Sequence, residues 1–167
     1  MTERKVQILM GSDSDAPTMQ RTVDLLKEFD ISCHMTVASA HRSPNRVENL
    51  IKDAPKNGVK VFVVGAGAAA HLAGVVAAHS TLPVIGVPID SSPLKGWDAL
   101  LATVQMPPGV PVATVSVGNA GATNAAVLAA QILAITDDRV AAAVKSYKEK
   151  LASKVEQAAA KLESRLS

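Results

Sequence analysis

The chain is poor in aromatic residues and in cysteine. Only 2% of its 167 residues are aromatic, so it has few platforms on which nucleic-acid bases could stack. Its single cysteine, Cys33, has no partner for an internal disulfide. Cys33 lies in an apolar run, which is typical of a buried and unreactive thiol. The core must therefore be built from Ala, Val, Leu and Ile.

Charge is scarce across the middle of the chain, which we therefore expect to be heavily buried. Between residues 61 and 136 the only Asp, Glu, Lys or Arg residues are Asp90, Lys95 and Asp98. A membrane span is not expected, because prolines and side-chain amides interrupt every apolar stretch approaching about 20 residues. The formal net charge of +2 is too small to indicate a nucleic-acid or membrane partner.

The first residues lead directly into a short strand-like run. They lack the longer apolar segment and small-residue cleavage site of a secretory signal. We therefore expect a cytoplasmic protein.

Short apolar runs alternate with helical patterns along the chain. The runs predict five strands, over residues 6–10, 33–37, 59–64, 83–87 and 112–117. Helices are predicted after Asp15, near Pro44, and over about 70–80, 97–104 and 121–135. This alternation predicts a three-layer α/β fold, a flavodoxin-like doubly wound parallel sheet. The last three strands do not alternate in polarity, so we expect burial on both faces.

A long C-terminal helix is predicted to follow a catalytic domain over residues 1–136. It covers residues 137–167 and is roughly 45 Å long if continuous. Its apolar residues recur every three or four positions: Val140, Val144, Tyr147, Leu151, Val155, Ala158 and Leu162. This narrow seam predicts packing on neighbouring subunits, and hence a homo-oligomer. A solvated helix face explains its basic residues better than nucleic-acid binding does.

Ligands of parallel sheets bind at the carboxyl ends of the strands, and the first two loops there carry polar groups. Loop one, residues 11–15 (GSDSD), offers backbone N–H groups and hydroxyls to an anion, although ordinary helix capping explains it about as well. Loop two, residues 39–44 (SAHRSP), places His41 beside Arg42 just before Pro44, which favours a first helical turn. An imidazole can transfer a proton near neutral pH, and a guanidinium can bind phosphate bidentately.

Loop three, residues 65–72 (GAGAAAHL), has almost no side-chain bulk. A ligand could approach its backbone closely, although tight helix packing also favours Gly and Ala. His71 could bind a ligand or cap the next helix. Together the three loops predict a pocket for a small phosphorylated sugar derivative. The sequence has no Walker loop, nucleophile elbow or metal-ligand cluster, so no metal or cofactor is expected.

Five ordered motifs give the chain a specific resemblance. They occupy residues 10–15, 39–44, 65–72, 104–107 and 109–114. In these motifs the chain resembles the N5-carboxyaminoimidazole ribonucleotide mutases of purine biosynthesis. The resemblance implies that a carboxylate migrates from an exocyclic amine to C4 of an aminoimidazole ribonucleotide, without metal, ATP or organic cofactor. It also implies a homo-octamer.

The resemblance further assigns roles to individual residues. It implies that Ser12, Ser39 and Arg42 hold the phosphate or nearby groups, and that Asp15 binds the ribose. His41 would transfer the proton. The migrating carboxylate would face loop three, where the implied substrate-binding residues are Gly67, His71 and Leu72.

The chain departs from this family at one position within the third motif and at one position directly after it. The family usually has Gly where this chain has Ala68, and commonly Pro where it has Ala73. If position 68 adopts a positive φ, alanine there costs about 1 kcal/mol relative to glycine.

Two alternative functions compete with the mutase. Enzymes that carboxylate aminoimidazole ribonucleotide directly with CO2 tend to have Lys after the motif His and Arg-Ser-Asn in loop three, where this chain has Arg42 and residues 68–70 are alanine. The second alternative is a noncatalytic nucleotide-binding module on the same fold. A phosphoacceptor receiver would need Asp where Gly65 stands, and a flavin carrier would need stacking aromatics.

Overall fold

The computed structural model describes residues 4–166 and contains one five-stranded parallel sheet. The strand order is β2-β1-β3-β4-β5. The strands are β1 Val6–Met10, β2 Cys33–Val37, β3 Val61–Gly67, β4 Val84–Ile89 and β5 Ala113–Thr114. This order confirms the predicted flavodoxin-like sheet.

Helices cover both faces of the sheet, as predicted for a doubly wound domain. They are α1 Ala16–Glu28, α2 Pro44–Asp53, α3 Leu72–His79, α4 Trp97–Val104, α5 Gly118–Ala134 and α6 Asp138–Leu166. One core cluster joins α1, α5 and the start of α6 to one face, and a second joins α2, α3 and α4 to the other. Two short 3-10 turns, Asp13–Asp15 and Pro55–Asn57, precede α1 and follow α2.

Strand β3 differs from its predicted extent. It begins at Val61 instead of residue 59 and continues to Gly67, so residues 65–67 are strand and not loop. Glycine and alanine are poor strand formers, but here two neighbours hold them: Gly65 pairs with Met10 of β1, and Gly67 pairs with Ile89 of β4. The pairing with β1 ends at Gly65, and β4 alone extends the strand to Gly67. Pairing with neighbouring strands outweighs local propensity.

The fifth strand is far shorter than predicted. Only Ala113 and Thr114 pair with β4, against a predicted span of 112–117, and α5 begins at Gly118 instead of residue 121. The strand lies at the sheet edge with a single neighbour, so little holds the rest of the run in register. Burial on both faces is therefore right for β3 and β4 and wrong for β5, where Ala113 is exposed.

Helix α6 leaves the domain after its first three turns. Val140 and Val144 are buried, and the Tyr147 ring meets Phe29 edge to face with centroids 5.4 Å apart. Every residue from 148 to 166 is exposed. None of the helices within residues 4–166 has the length and apolar character needed to cross a bilayer.

A buried hydrogen bond joins α1 to α5 and predicts a stability change. Thr22 is fully buried, and its hydroxyl donates to the carbonyl of Ala122 at 2.8 Å. We expect Thr22→Val to lower the free energy of unfolding by about 1 kcal/mol, measured by urea denaturation, because the bond between the helices is lost. Thr123→Val is the matched control, because its hydroxyl bond to Asn119 is exposed and local to α5. Equal effects of the two substitutions would contradict this interpretation.

Candidate active site

A pocket of about 180 Å³ opens at the carboxyl edge of the sheet. The loops that follow β1, β2, β3 and β4 all contribute to it. The strand order reverses between β1 and β3, which is where doubly wound sheets open a ligand crevice. The lining residues are Gly11, Ser12, Ser14, Asp15, Ser39, Ala40, His41, Arg42, Ala66, Gly67, Ala69, Leu72 and Ser91.

Loop one forms a reciprocal cap and also faces the pocket. The Ser12 hydroxyl accepts from the Ser14 N–H at 3.4 Å, and Asp15 Oδ2 accepts from the Ser12 N–H at 3.2 Å. Asp15 is only 4% exposed. Burial raises the pKa of its carboxyl, and the hydrogen bond from Ser12 opposes this rise. Capping thus holds in place a carboxylate that also lines the site.

Loop two is held by a serine pair and anchored to loop one by arginine. The Ser43 hydroxyl accepts from the Ser39 N–H at 3.0 Å and donates to the Ser39 carbonyl at 3.2 Å, turning the chain into α2 at Pro44. Arg42 Nη2 donates to the Gly11 carbonyl at 3.0 Å. Arg42 is the only lysine or arginine within residues 4–166 that lines this pocket. Its hydrogen bond to Gly11 fixes the side chain beside loop one.

His41 contacts a second histidine from loop three. Its Nε2 lies 2.8 Å from Nδ1 of His71, with ring centroids 4.9 Å apart and ring planes at 81°. A hydrogen bond between two imidazole nitrogens needs a proton on one and a lone pair on the other. The two rings therefore hold each other in a fixed relative orientation.

The pocket wall opposite loops one and two is made largely of small residues. Ala66, Gly67 and Ala69 line it together with Leu72. A Cβ atom at Gly67 would overlap the hydroxyl of Ser91, so glycine is required there by close approach.

Both departures from the family pattern lie next to this wall. Ala68 adopts φ of 51°, the left-handed conformation that costs an alanine about 1 kcal/mol relative to glycine. Ala73 is buried in the first turn of α3 and does not line the pocket.

The structure brings most of the sequence-predicted site residues together. Those that line the pocket are Ser12, Asp15, Ser39, His41, Arg42, Gly67 and Leu72. His71 does not line the pocket, but its ring contacts His41, which does. Sequence reasoning missed Ser91. Its position just beyond β4 is the signal, because the loop after the fourth strand of a parallel sheet opens at the same edge as the first three.

Comparison with known proteins places this geometry in a family. Residues 5–154 match the family model described as AIR carboxylase. The chain belongs to the AIR carboxylase family. A curated Thermotoga maritima relative named N5-carboxyaminoimidazole ribonucleotide mutase is 49% identical over 159 residues, which are 95% of this chain and 92% of the relative. A Bacillus subtilis relative of the same name is 52% identical over 136 residues, covering 81% and 84%. The resemblance drawn from the five motifs is confirmed.

Solved structures of similar proteins agree with this AIR carboxylase assignment. Treponema denticola PurE is 32% identical, with a TM-score of 0.87 and coverage of 96% of this chain and 99% of the other. A serine-to-aspartate variant of Treponema denticola PurE2 is 31% identical, with a TM-score of 0.88 and the same coverage.

The strained alanine of the pocket wall generates a second prediction. We expect Ala68→Gly to raise the free energy of unfolding by about 0.5–1 kcal/mol, because relief of the left-handed strain exceeds the added entropy of the unfolded chain. Ala70→Gly is the matched control. Ala70 is buried and has no positive φ, so its replacement should lower stability. Calorimetric unfolding measures both; a decrease at position 68 would contradict the strain.

Proposed function

We propose that this protein is the mutase that converts N5-carboxyaminoimidazole ribonucleotide into 4-carboxy-5-aminoimidazole ribonucleotide in de novo purine biosynthesis. The observation that carries the proposal is the placement of His41 and Arg42 in one pocket against a small-residue wall. The relatives named above as mutases support the same reaction.

The polar side of the pocket suits a ribonucleotide 5′-phosphate. Ser12, Ser39 and Arg42 offer hydroxyls and a guanidinium from two adjoining loops. Asp15 is a poor phosphate ligand but can accept hydrogen bonds from ribose hydroxyls. The aminoimidazole ring then lies toward His41, with its carboxylate against the wall that contains Gly67 and Leu72.

His41 can act in both halves of the reaction. In the first half its imidazolium gives a proton to the exocyclic nitrogen as the bond between that nitrogen and the carboxylate carbon breaks. The electron pair stays on nitrogen and CO2 is released. In the second half C4 attacks CO2, and the neutral imidazole removes the C4 proton. His41 ends the cycle protonated as it began, so no co-reactant is consumed.

The His71 contact fixes which nitrogen of His41 can work. While Nε2 of His41 is bonded to Nδ1 of His71, Nδ1 of His41 is the nitrogen left to exchange a proton with the substrate. His71 thus holds the orientation of the ring. We therefore propose that His71 positions His41, in addition to the substrate-binding role that the resemblance implies for it.

Direct carboxylation of aminoimidazole ribonucleotide is the second candidate function. The description of the matching family model, AIR carboxylase, favours it. The same wall and the same histidine would serve, because CO2 addition at C4 followed by loss of the ring proton is the second half of the mutase cycle. The two functions differ in the substrate consumed, which an assay can distinguish.

We expect the purified protein to convert the N-carboxylated ribonucleotide to its C4 isomer without added ATP, metal or bicarbonate. We expect His41→Asn to lower turnover by about 100-fold or more, because asparagine keeps a polar side chain but cannot carry the proton. Product absorbance measured against time checks both expectations.

The control for this assay is His79→Asn. His79 lies at the end of α3, outside the pocket, where its ring contacts the Val75 carbonyl, so turnover should match the unmodified protein. Turnover that needs high bicarbonate and the uncarboxylated nucleotide would replace the mutase by the direct carboxylase. An active His41→Asn variant would remove His41 from its role.

We also propose that α6 joins subunits into a homo-oligomer, an octamer by resemblance to the mutases. Leu151, Val155 and Leu162 are 44%, 67% and 58% exposed on a helix end whose residues 148–166 are all exposed. Isolated helical segments of this length are marginal in water, and packing of an apolar face supplies most helix stability. A second exposed apolar face lies on α4, where Trp97 and Leu101 are 66% and 51% exposed.

Light scattering tests the role of the α6 seam. We expect the unmodified protein to be an octamer and Val155→Asp/Leu162→Asp to reduce the assembly, because buried unpaired carboxylates are strongly unfavourable. Ser153→Asp/Ala160→Asp adds the same charge away from the seam and should leave the assembly intact. A monomeric unmodified protein, or equal masses for the two double variants, would contradict the proposal.

A further inference from the structure

The wall of the pocket formed by β3 and β4 carries one hydroxyl. The other polar lining groups come from loops one and two, namely Ser12, Ser14, Asp15, Ser39, His41 and Arg42. On the β3–β4 side the lining residues are Ala66, Gly67, Ala69, Leu72 and Ser91. A group bound against this wall can therefore meet a side-chain donor only at Ser91.

The position of Ser91 is set by the pairing of the two central strands. Gly67 and Ile89 are register partners at the carboxyl ends of β3 and β4, and Ser91 follows two residues later. Its N–H donates to the Ile89 carbonyl at 3.1 Å. Since a Cβ at Gly67 would overlap the Ser91 hydroxyl and lie 2.9 Å from its Cβ, the hydroxyl occupies the space that a side chain at position 67 would fill.

The Ser91 hydroxyl differs from those of the other pocket serines in having no hydrogen-bond partner within residues 4–166. The Ser14 hydroxyl donates to Ser12 at 2.9 Å, and the Ser39 hydroxyl accepts from the Arg42 N–H at 3.2 Å. Those serines stabilise their own loops. Ser91 is exposed and performs no such local task, so its donor and its lone pairs are available to a ligand.

The charged residues near Ser91 are Asp90, which precedes it in sequence, and two residues that line the pocket. Asp90, next in sequence, does not line the pocket and lies against Gly96, 3.6 Å from the position of a Cβ on that glycine. Arg42 and Asp15 both line the same pocket, so an anion at Ser91 shares the cavity with one fixed cation and one carboxyl group. The Ser12 N–H donates to that carboxyl at 3.2 Å.

We propose that Ser91 is the carboxylate-binding residue of this site, donating its hydroxyl hydrogen to the migrating carboxylate while Gly67 makes room for both. The proposal rests on the proposed mutase function. A hydroxyl binds a carboxylate more strongly than neutral CO2, because hydrogen bonds to charged acceptors are roughly twice as strong. Ser91 would therefore bind the carboxylate of the substrate and of the product strongly, and bind the intermediate CO2 only weakly.

The decisive experiment compares two ligands that differ only in the carboxylate. Dissociation constants of 4-carboxy-5-aminoimidazole ribonucleotide and of aminoimidazole ribonucleotide are measured by calorimetry in the His41→Asn background, where turnover is expected to be slower by about 100-fold or more. Adding Ser91→Ala should weaken the carboxylated ligand roughly tenfold to a hundredfold, the range for a hydrogen bond to a charged group. Affinity for the uncarboxylated ligand should not change.

Ser92→Ala is the matched control. The Ser92 hydroxyl accepts from the Leu94 N–H at 3.1 Å and lies outside the pocket, so this variant should keep the parental ratio of the two dissociation constants. Equal weakening of both ligands by Ser91→Ala, or no weakening of either, would overturn the proposal. Failure of the proposed function shows separately, as absence of turnover by the unmodified protein.

Discussion

The structure depends on the lack of side-chain bulk where β3 ends. A Cβ on Gly65 would lie 3.0 Å from Met19 Cγ and 3.1 Å from Ile89 Cδ1, and one on Gly67 would overlap Ser91. The same short segment thus closes the core beneath α1 and forms the wall of the pocket. Any larger residue would either push α1 away from the sheet or fill the site. The core and the site are therefore constrained by the same residues.

Backbone hydrogen bonds carry the order of the sheet into the loops. Beyond the strand ends, the Gly11 N–H donates to the Gly65 carbonyl at 3.2 Å and the Ala38 N–H donates to the Met10 carbonyl at 2.9 Å. The Arg42 side chain continues this pattern by bonding the Gly11 carbonyl. Most of the geometry of the site is consequently built by main-chain pairing, which leaves the side chains of loops one and two to meet the ligand.

The local sequence pattern predicts the bounds of a strand correctly where turn residues lie at both of its ends. It does not predict them where pairing with neighbouring strands sets the length. Strands β1 and β2 have their predicted bounds, because each is a short apolar run between loop-forming residues. The end of β3 could not be predicted from glycine and alanine, since pairing with β4 extends the strand to Gly67. The predicted extent of β5 was too long, because an edge strand has a single neighbour and only Ala113 and Thr114 pair with it.

The site shows the same division. The convergence of the first three loops follows from the direction of a parallel sheet, and so most of the polar lining residues could be named in advance. The contact between His41 and His71 joins loops 30 residues apart, and no periodicity in the chain reports it. Ser91 could have been predicted by the same rule, because the loop after the fourth parallel strand opens at the same edge of the sheet as the first three loops.

Small side chains both form the pocket wall and pack the helices of the core. Helix α5 packs on α1 through alanines that are fully buried, among them Ala122, Ala125 and Ala129, and small contacts of this kind let the layers approach closely. In the proposed reaction CO2 is free between two bonds. A small neutral molecule offers little charge to hold, so shape and exclusion of water must retain it. A wall of alanine and glycine backed by a close-packed core provides that shape.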